Sequence, residues 1–112
     1  MIGSADGGVV KSVEFLADTG AYYTIIPPKL AEELNIKPIA KTKLTLADKR
    51  VVEVDISLAY IKILDRDGVF NIAIMEVPEP LLGVSTLEGL GIKVDQTTGK
   101  FEYSRPYGLA LI

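Results

Sequence analysis

The 112-residue chain contains no cysteine and no histidine. Without cysteine there is no disulfide and no thiol nucleophile. Without histidine the Ser-His and Cys-His catalytic pairs and the usual zinc sites are excluded. Acid–base chemistry near neutral pH is left to carboxylates, lysines or tyrosines with shifted pKa values. Amide side chains are scarce, being only Asn35, Asn71 and Gln96, a depletion that fits a thermophilic source. No run of ~18 apolar residues occurs, so no membrane span and no membrane partner are expected. Basic clusters are missing too, and the formal net charge is −3, which argues against a nucleic-acid partner. The opening Met1-Ile2-Gly3-Ser4-Ala5-Asp6 lacks the basic-then-apolar pattern of a signal peptide, so the expected location is cytoplasmic.

What is present suits one small globular domain over residues 1–112. Hydrophobic residues make up 48% and charged residues 24%, an ordinary balance that supports a modest core at this length.

The pattern along the chain is mainly β. Asp6-Gly7-Gly8 reads as a turn, and Met1 leaves almost nothing for a strand before it. Val9 to Ala17 reads as a strand with Val13, Phe15 and Ala17 on one face. Tyr22 to Ile26 suits a second strand. Pro27-Pro28 opens a short helix over Lys29 to Leu34, closed by Asn35. Residues 43–58 alternate as a hairpin with Ala47-Asp48-Lys49-Arg50 at its tip. Val52, Val54, Ile56 and Leu58 share its apolar face, and Glu53, Asp55 and Ser57 share the wet one. Strand continues to Leu64, Asp65 to Gly68 turns, and Val69 to Val77 is strand again. Ser85 and Glu88 are spaced as a capping box for a second short helix, ended by Gly89 or Gly91. Ile92 to Val94 and Lys100 to Tyr103 form a late hairpin. Leu109 to Ile112 is an apolar strand at the chain end.

The most informative stretch is Asp18-Thr19-Gly20, a carboxylate set between two apolar strand-like runs. Alone, the triplet arises by chance in about a few per cent of chains this long. A plain strand-to-turn corner would also use it, with Asp accepting backbone N–H bonds and Gly easing the backbone. Its setting adds weight, since an acid between apolar strands is desolvated unless well hydrogen-bonded.

With its neighbours, the motif resembles the retropepsin-like aspartic proteases. The residues that carry the likeness are Leu16-Ala17-Asp18-Thr19-Gly20-Ala21, the Leu81-Leu82-Gly83 element before a short helix, and the hairpin between them. The small archaeal and bacterial members are more similar still. They share the Pro27-Pro28-Lys29-Leu30-Ala31-Glu32-Glu33-Leu34 helix, a Leu46-Ala47-Asp48-Lys49-Arg50 tip, and a signature like that running from Pro80 to Asp95. The likeness covers roughly Val13 to Tyr103.

The resemblance implies a small acid-protease-type β-barrel with one or two short helices and a flap-like hairpin near residues 43–58. It implies an aspartic endopeptidase acting on a peptide or protein, with no metal or other cofactor. Asp18, Thr19 and Gly20 would be catalytic, and Ala21, Tyr22, Ala47, Asp48, Lys49 and Arg50 would meet substrate. Because the triplet occurs once, the second carboxylate would come from a homodimer partner, with Thr19 bracing the pair and terminal strands such as Leu109 to Ile112 interleaving. That strand folding back onto its own core is the alternative. The chain departs from the viral pattern in its glycine-free flap tip and in Tyr22, where those enzymes place an acid. Aromatic core is the plainer reading for at least one of Tyr22 and Tyr23. The rival function is a catalytically inactive dimerisation or peptide-binding module of the same fold. A structural barrel in which Asp18 is only a satisfied turn residue is a weaker third.

Overall fold

The computed structural model describes residues 1–45, 48–95 and 97–106. In chain order the elements are β1 (Ile2–Ser4), β2 (Val10–Lys11), β3 (Leu16–Ala17), β4 (Thr24–Ile26), α1 (Pro28–Glu33), β5 (Ala40–Thr45) and β6 (Val51–Ile63). They continue with β7 (Arg66–Ile74), β8 (Leu81–Leu82), α2 (Val84–Leu90), β9 (Ile92–Val94) and β10 (Phe101–Tyr103). The fold is mainly β: one large sheet curls into a half-barrel, and β9 and β10 form a separate hairpin. The expected C-terminal strand, Leu109 to Ile112, lies outside the described residues, as does Ala47 at the flap tip. Among the described residues no helix is long and apolar enough to cross a membrane.

In the large sheet the strands run in the order β2-β1-β6-β7-β4-β8-β3, and β5 also pairs with β6. The long strand β6 organises the sheet. Along one edge it pairs first with β5, from Val51 to Ile56, and then with β1, from Ala59 to Ile61. Its other edge pairs with β7 from Asp55 to Ile63. β1 is the strand that the sequence reading left out: Ile2 is fully buried and pairs with both Lys11 and Ile61. The single strand expected over Val9 to Ala17 is instead two short ones, β2 and β3, on opposite edges of the sheet.

Burial along β6 changes phase. Val54 faces inward in the hairpin arm, but Ser57, Ala59 and Ile61 are the buried residues further on. The pairing with β7 has no bulge, so the two ends of the strand are covered on opposite faces. Leu58 is therefore turned outward and Ser57 inward, the reverse of a uniform alternation. The buried Ser57 hydroxyl is satisfied by donating to the Lys37 carbonyl at 2.6 Å, as a buried polar group must be.

The turn expected at Asp65 to Gly68 is tighter, with Ile63 paired to Arg66 across Leu64 and Asp65. α1 begins at Pro28 with its proline in the first turn, and Asn35 leaves it in the left-handed region at φ 56°. α1 buries Ala31, and the following Leu34 is also buried, against Ile2, Ile26, Ile61 and Ile72. A second cluster, Leu82, Leu87, Leu90 and Ile92, lies under α2. Phe15, Ile63 and Phe70 pack against both clusters and join them. Each fully buried Leu or Ile stabilises the fold by roughly 1.5–3 kcal/mol.

Candidate active site

The Asp18 turn is built by three short strands. β8 lies between β3 and β4, parallel to β3 through Leu16–Leu81 and Ala17–Leu82, and antiparallel to β4 through Ile25–Leu81. The segment from Asp18 to Tyr23 therefore has to arch over the end of β8. Gly83 sits beneath that arch. A Cβ at Gly83 would lie 2.3 Å from the Tyr23 carbonyl carbon and oxygen, so only glycine fits there.

Backbone bonds fix the arch. The Asp18 N–H donates to the Leu82 carbonyl at 3.0 Å, and the Ala21 N–H donates back to the Asp18 carbonyl at 3.1 Å. On the far side Val84 N–H donates to Ala21 O at 2.8 Å and Ser85 N–H to Tyr22 O at 2.9 Å. These bonds explain the start of α2. The helix begins at Val84 with Gly83 as its cap and no side-chain cap bond, so the Ser85–Glu88 capping box expected from spacing does not form. Gly91 ends α2 in the left-handed region at φ 67°.

Sequence reasoning missed two supports, one beneath the arch and one at the C-terminal end of α2. Thr24 and Thr86 share a buried hydroxyl–hydroxyl bond of 2.7 Å, and Thr24 Oγ1 also accepts the Gly83 N–H at 3.0 Å. A threonine between apolar residues in β4 was the available signal. The other support is Arg66, which the sequence placed in a turn and which is 8% exposed. Its Nη1 donates to the Leu90 and Gly91 carbonyls, where the helix leaves acceptors unpaired, and its guanidinium lies 4.0 Å from the centre of the Tyr103 ring. Arg105 adds bonds to the Glu88 and Gly89 carbonyls. Tyr103 in turn donates its hydroxyl to Asp65.

At the surface of the arch, the half-buried Asp18 accepts the Gly20 N–H on Oδ1 at 2.9 Å. Oδ2 has no hydrogen-bond partner among the described residues. Thr19 and Gly20 are exposed. Asp18, Gly20, Ala21 and Tyr22 line one wall of a cleft of about 600 Å³. Leu44 and Thr45 of the hairpin stand on another wall, with Tyr23, Ile25, Met75, Val77 and Leu81 completing it. Asp18 is the only carboxylate among these residues, and apolar groups dominate the rest. Neither Tyr22 nor Tyr23 joins the buried clusters.

Of the residues expected to meet substrate, Asp48, Lys49 and Arg50 lie at the hairpin tip, outside the lining of this cleft. Asp48 folds back on its own loop, accepting from the Arg50 N–H at 3.1 Å and from Arg50 Nε at 2.6 Å. Lys49 adopts φ 66° between them. Among the described residues no cluster of three or more acidic side chains is arranged to hold a metal ion.

A model of the aspartyl protease family matches residues 3–86, which takes in the turn, the hairpin, β8 and the start of α2. The chain belongs to the aspartyl protease family. Two solved structures share the fold of this family member. One is the EIAV protease complexed with the inhibitor HBY-793, 23% identical, with a TM-score of 0.60 over 74% of this chain and 81% of that one. The other is the retroviral protease-like domain of Ddi1 from Leishmania major, 12% identical, with a TM-score of 0.56 over 84% and 80%. Both make the fold retropepsin-like. Among curated proteins, no sequence matched.

Proposed function

We propose that this retropepsin-like chain is an aspartic endopeptidase that works as a homodimer, with Asp18 of each copy forming the catalytic pair. The observation that carries the reading is the solitary Asp18 carboxylate on the wall of an apolar cleft. Peptide hydrolysis by carboxylates needs two of them in one site. Like charges ~3 Å apart do not both ionise readily, so the pair holds one proton. The ionised member takes a proton from water as the oxygen attacks the scissile carbonyl. The protonated member hydrogen-bonds the carbonyl oxygen, and a proton then passes to the leaving amine as the roles exchange. The two carboxylates titrate as a unit.

A two-fold second copy supplies the missing acid with no new residue. The surface around the turn suits such a partner. Leu16 is 52% exposed and Tyr22 is 66% exposed, one on each side of Asp18. In this reading Gly20 orients the carboxylate through Oδ1 and leaves Oδ2 for water or the partner acid. Thr19 braces the pair across the axis, Ala21 and Tyr22 meet the substrate, and the tip residues Ala47, Asp48, Lys49 and Arg50 close over it. The substrate is a peptide or protein with apolar side chains about the scissile bond, met in the cytoplasm.

The test is Asp18→Asn, which should lower peptide cleavage by about 10³-fold or more with the circular dichroism spectrum unchanged. Unchanged cleavage would end the reading. A wild-type chain that binds peptides without cleaving them would be the inactive binding module instead.

A further inference from the structure

A cavity of about 310 Å³ lies between α1 and the base of the hairpin formed by β5 and β6. Among the described residues it shares no lining residue with the Asp18 cleft. The buried Ala31, Ile36 and Ile74 line it, with Pro28 and Pro38 beside them. Its polar wall is Glu32, Asn35, Lys37 and Asp55. The connection from α1 to β5 forms one side and is pinned along its length. Ile36 N–H donates to the Ala31 carbonyl and Ile39 N–H to the Ile56 carbonyl, both at 2.8 Å. Between them the Lys37 carbonyl accepts the Ser57 hydroxyl at 2.6 Å. The cavity is therefore preformed in the fold.

Its position in the sheet gives it leverage over the cleft. β6 pairs with β7 only from Asp55 onward, and from Val51 to Val54 it pairs with β5 alone. Asp55 and Ile74 are the last pair of the β6–β7 ladder, and both line the cavity. The cavity thus sits where the hairpin arm leaves the sheet. That arm carries Leu44 and Thr45 to the wall of the Asp18 cleft. The charges on the cavity wall select its occupant. Lys41 already meets Asp55 at 3.5 Å. Among the described residues, the side chains of Glu32 and Lys37 make no ion pair or hydrogen bond. They carry opposite charges on one cavity without reaching each other. Set about an apolar floor, they complement a small molecule with an ammonium, a carboxylate and apolar side chains. The volume is at the lower end of the ~300–1,000 Å³ of ligand pockets, which suits a dipeptide and not a longer chain.

We infer that this cavity binds an apolar dipeptide in its zwitterionic form, and that occupancy holds the hairpin arm and slows turnover at the Asp18 cleft. The dipeptide amine meets Glu32, its carboxylate meets Lys37, and its side chains cover Ala31, Ile36 and Ile74. Burial of those side chains supplies most of the affinity, because ion pairs at exposed positions add little. The charges supply the selectivity. Short apolar peptides are what the proposed cleavage releases, so the cavity feeds product back on turnover. That consequence rests on the endopeptidase reading, and the binding does not.

The experiment titrates the isotope-labelled full chain with leucyl-leucine, with its des-amino analogue and with its C-terminal amide, and follows the amide signals by NMR. Leucyl-leucine should shift the signals of Ala31, Ile36 and Ile74 with a Kd of about 0.1–1 mM. Each analogue should bind about two- to fivefold more weakly. Glu32→Gln and Lys37→Gln change exposed positions and leave the fold intact. Glu32→Gln should abolish the penalty for losing the amine and keep the penalty for losing the carboxylate. Lys37→Gln should do the reverse. Shifts confined to cleft residues such as Ala21 and Leu81, or one ranking of the three ligands in all three proteins, would overturn the site. Where the wild type cleaves peptides, saturating leucyl-leucine should lower kcat, which a competitor in the Asp18 cleft does not do. Lys37→Gln should need about two- to fivefold more of it for the same loss. An unchanged kcat would overturn the restraint on the arm. If the wild type cleaves nothing, the endopeptidase reading falls and the ligand ranking still decides the cavity.

Discussion

Thr24 and Thr86, 62 residues apart in sequence, share a buried hydroxyl–hydroxyl hydrogen bond of 2.7 Å beneath the Asp18 arch. Thr24 Oγ1 also accepts the Gly83 N–H. Replacing Thr24 by the near-isosteric valine leaves two buried groups unpaired, at about 1–3 kcal/mol each. Thr24→Val should lower the urea midpoint by the equivalent of about 2–6 kcal/mol with the m-value unchanged. Adding Thr86→Val should restore part of the loss, because one orphan then disappears. Additive losses in the double variant would mean that the two hydroxyls do not act together.

Gly83 is required by space and not by its own dihedral angles, since its φ is −90°. Gly83→Ala forces a methyl into the Tyr23 backbone, which cannot swing aside as a side chain could. Destabilisation of about 3 kcal/mol is expected, read by thermal or urea unfolding. At Gly20 the added methyl would meet only the Asp18 carboxylate, at 3.2 Å. Gly20→Ala should therefore cost far less stability, and its effect should fall on cleavage.

Leu16 and Leu34 separate folding from association. Leu34 is fully buried, and Leu34→Ala should cost about 2–5 kcal/mol of stability. Leu16 is half exposed beside Asp18. Leu16→Ala should leave the unfolding of the isolated chain within about 0.5 kcal/mol, yet raise the protein concentration needed for half-maximal specific activity. Sedimentation across a dilution series measures the second effect.

Asp65 and Tyr103 predict a pH dependence with two flanks. The Tyr103 hydroxyl holds the Asp65 carboxyl below the usual carboxylate range, and the same bond raises the Tyr103 phenol. The Asp65 contribution is present above the unfolded carboxylate pKa and is lost as pH falls through the depressed folded value. The Tyr103 contribution is present below the unfolded phenol value of ~10 and is lost as pH rises through the raised one. Tyr103→Phe should lower Tm in mid-range and have little effect at the two extremes. Asp6, held by the Ser4 hydroxyl, and Asp95, held by the Thr97 hydroxyl, are depressed in the same way, so the variant keeps part of its acid flank. An equal loss of Tm at every pH would contradict the assignment.

Local signals made several of these elements legible in the sequence. Period-two alternation over residues 43–58 marked the hairpin, whose pairing runs as far as Ile56, the two prolines marked the start of α1, and the late hairpin appeared with its strands where expected. The features that escaped are those set by distant chain. Ser85 and Glu88 have capping-box spacing, but the N–H groups of Val84 and Ser85 are claimed by Ala21 and Tyr22, and the helix starts earlier. Arg66 sits among turn-forming residues, yet the open carbonyls at the end of α2 draw it inward. Leu58 follows three apolar residues of the same parity, but the sheet is covered on its other face by that point. At the candidate site, the sequence pointed to Asp18, Gly20, Ala21 and Tyr22, which line the cleft together. The Thr24–Thr86 support and the hairpin walls Leu44 and Thr45 needed the fold to bring them together.

The central claim is that two copies of Asp18 make one active site, and subunit mixing tests it most directly. Wild-type chain is unfolded and refolded with an equal amount of Asp18→Asn chain, and peptide cleavage is measured per wild-type chain. Random pairing places about half of the wild-type chains in mixed dimers with a single carboxylate. Specific activity per wild-type chain should therefore fall by about half, and fall further as the Asp18→Asn share rises. Activity that stays constant per wild-type chain at every ratio would contradict the account, because each Asp18 would then be working alone.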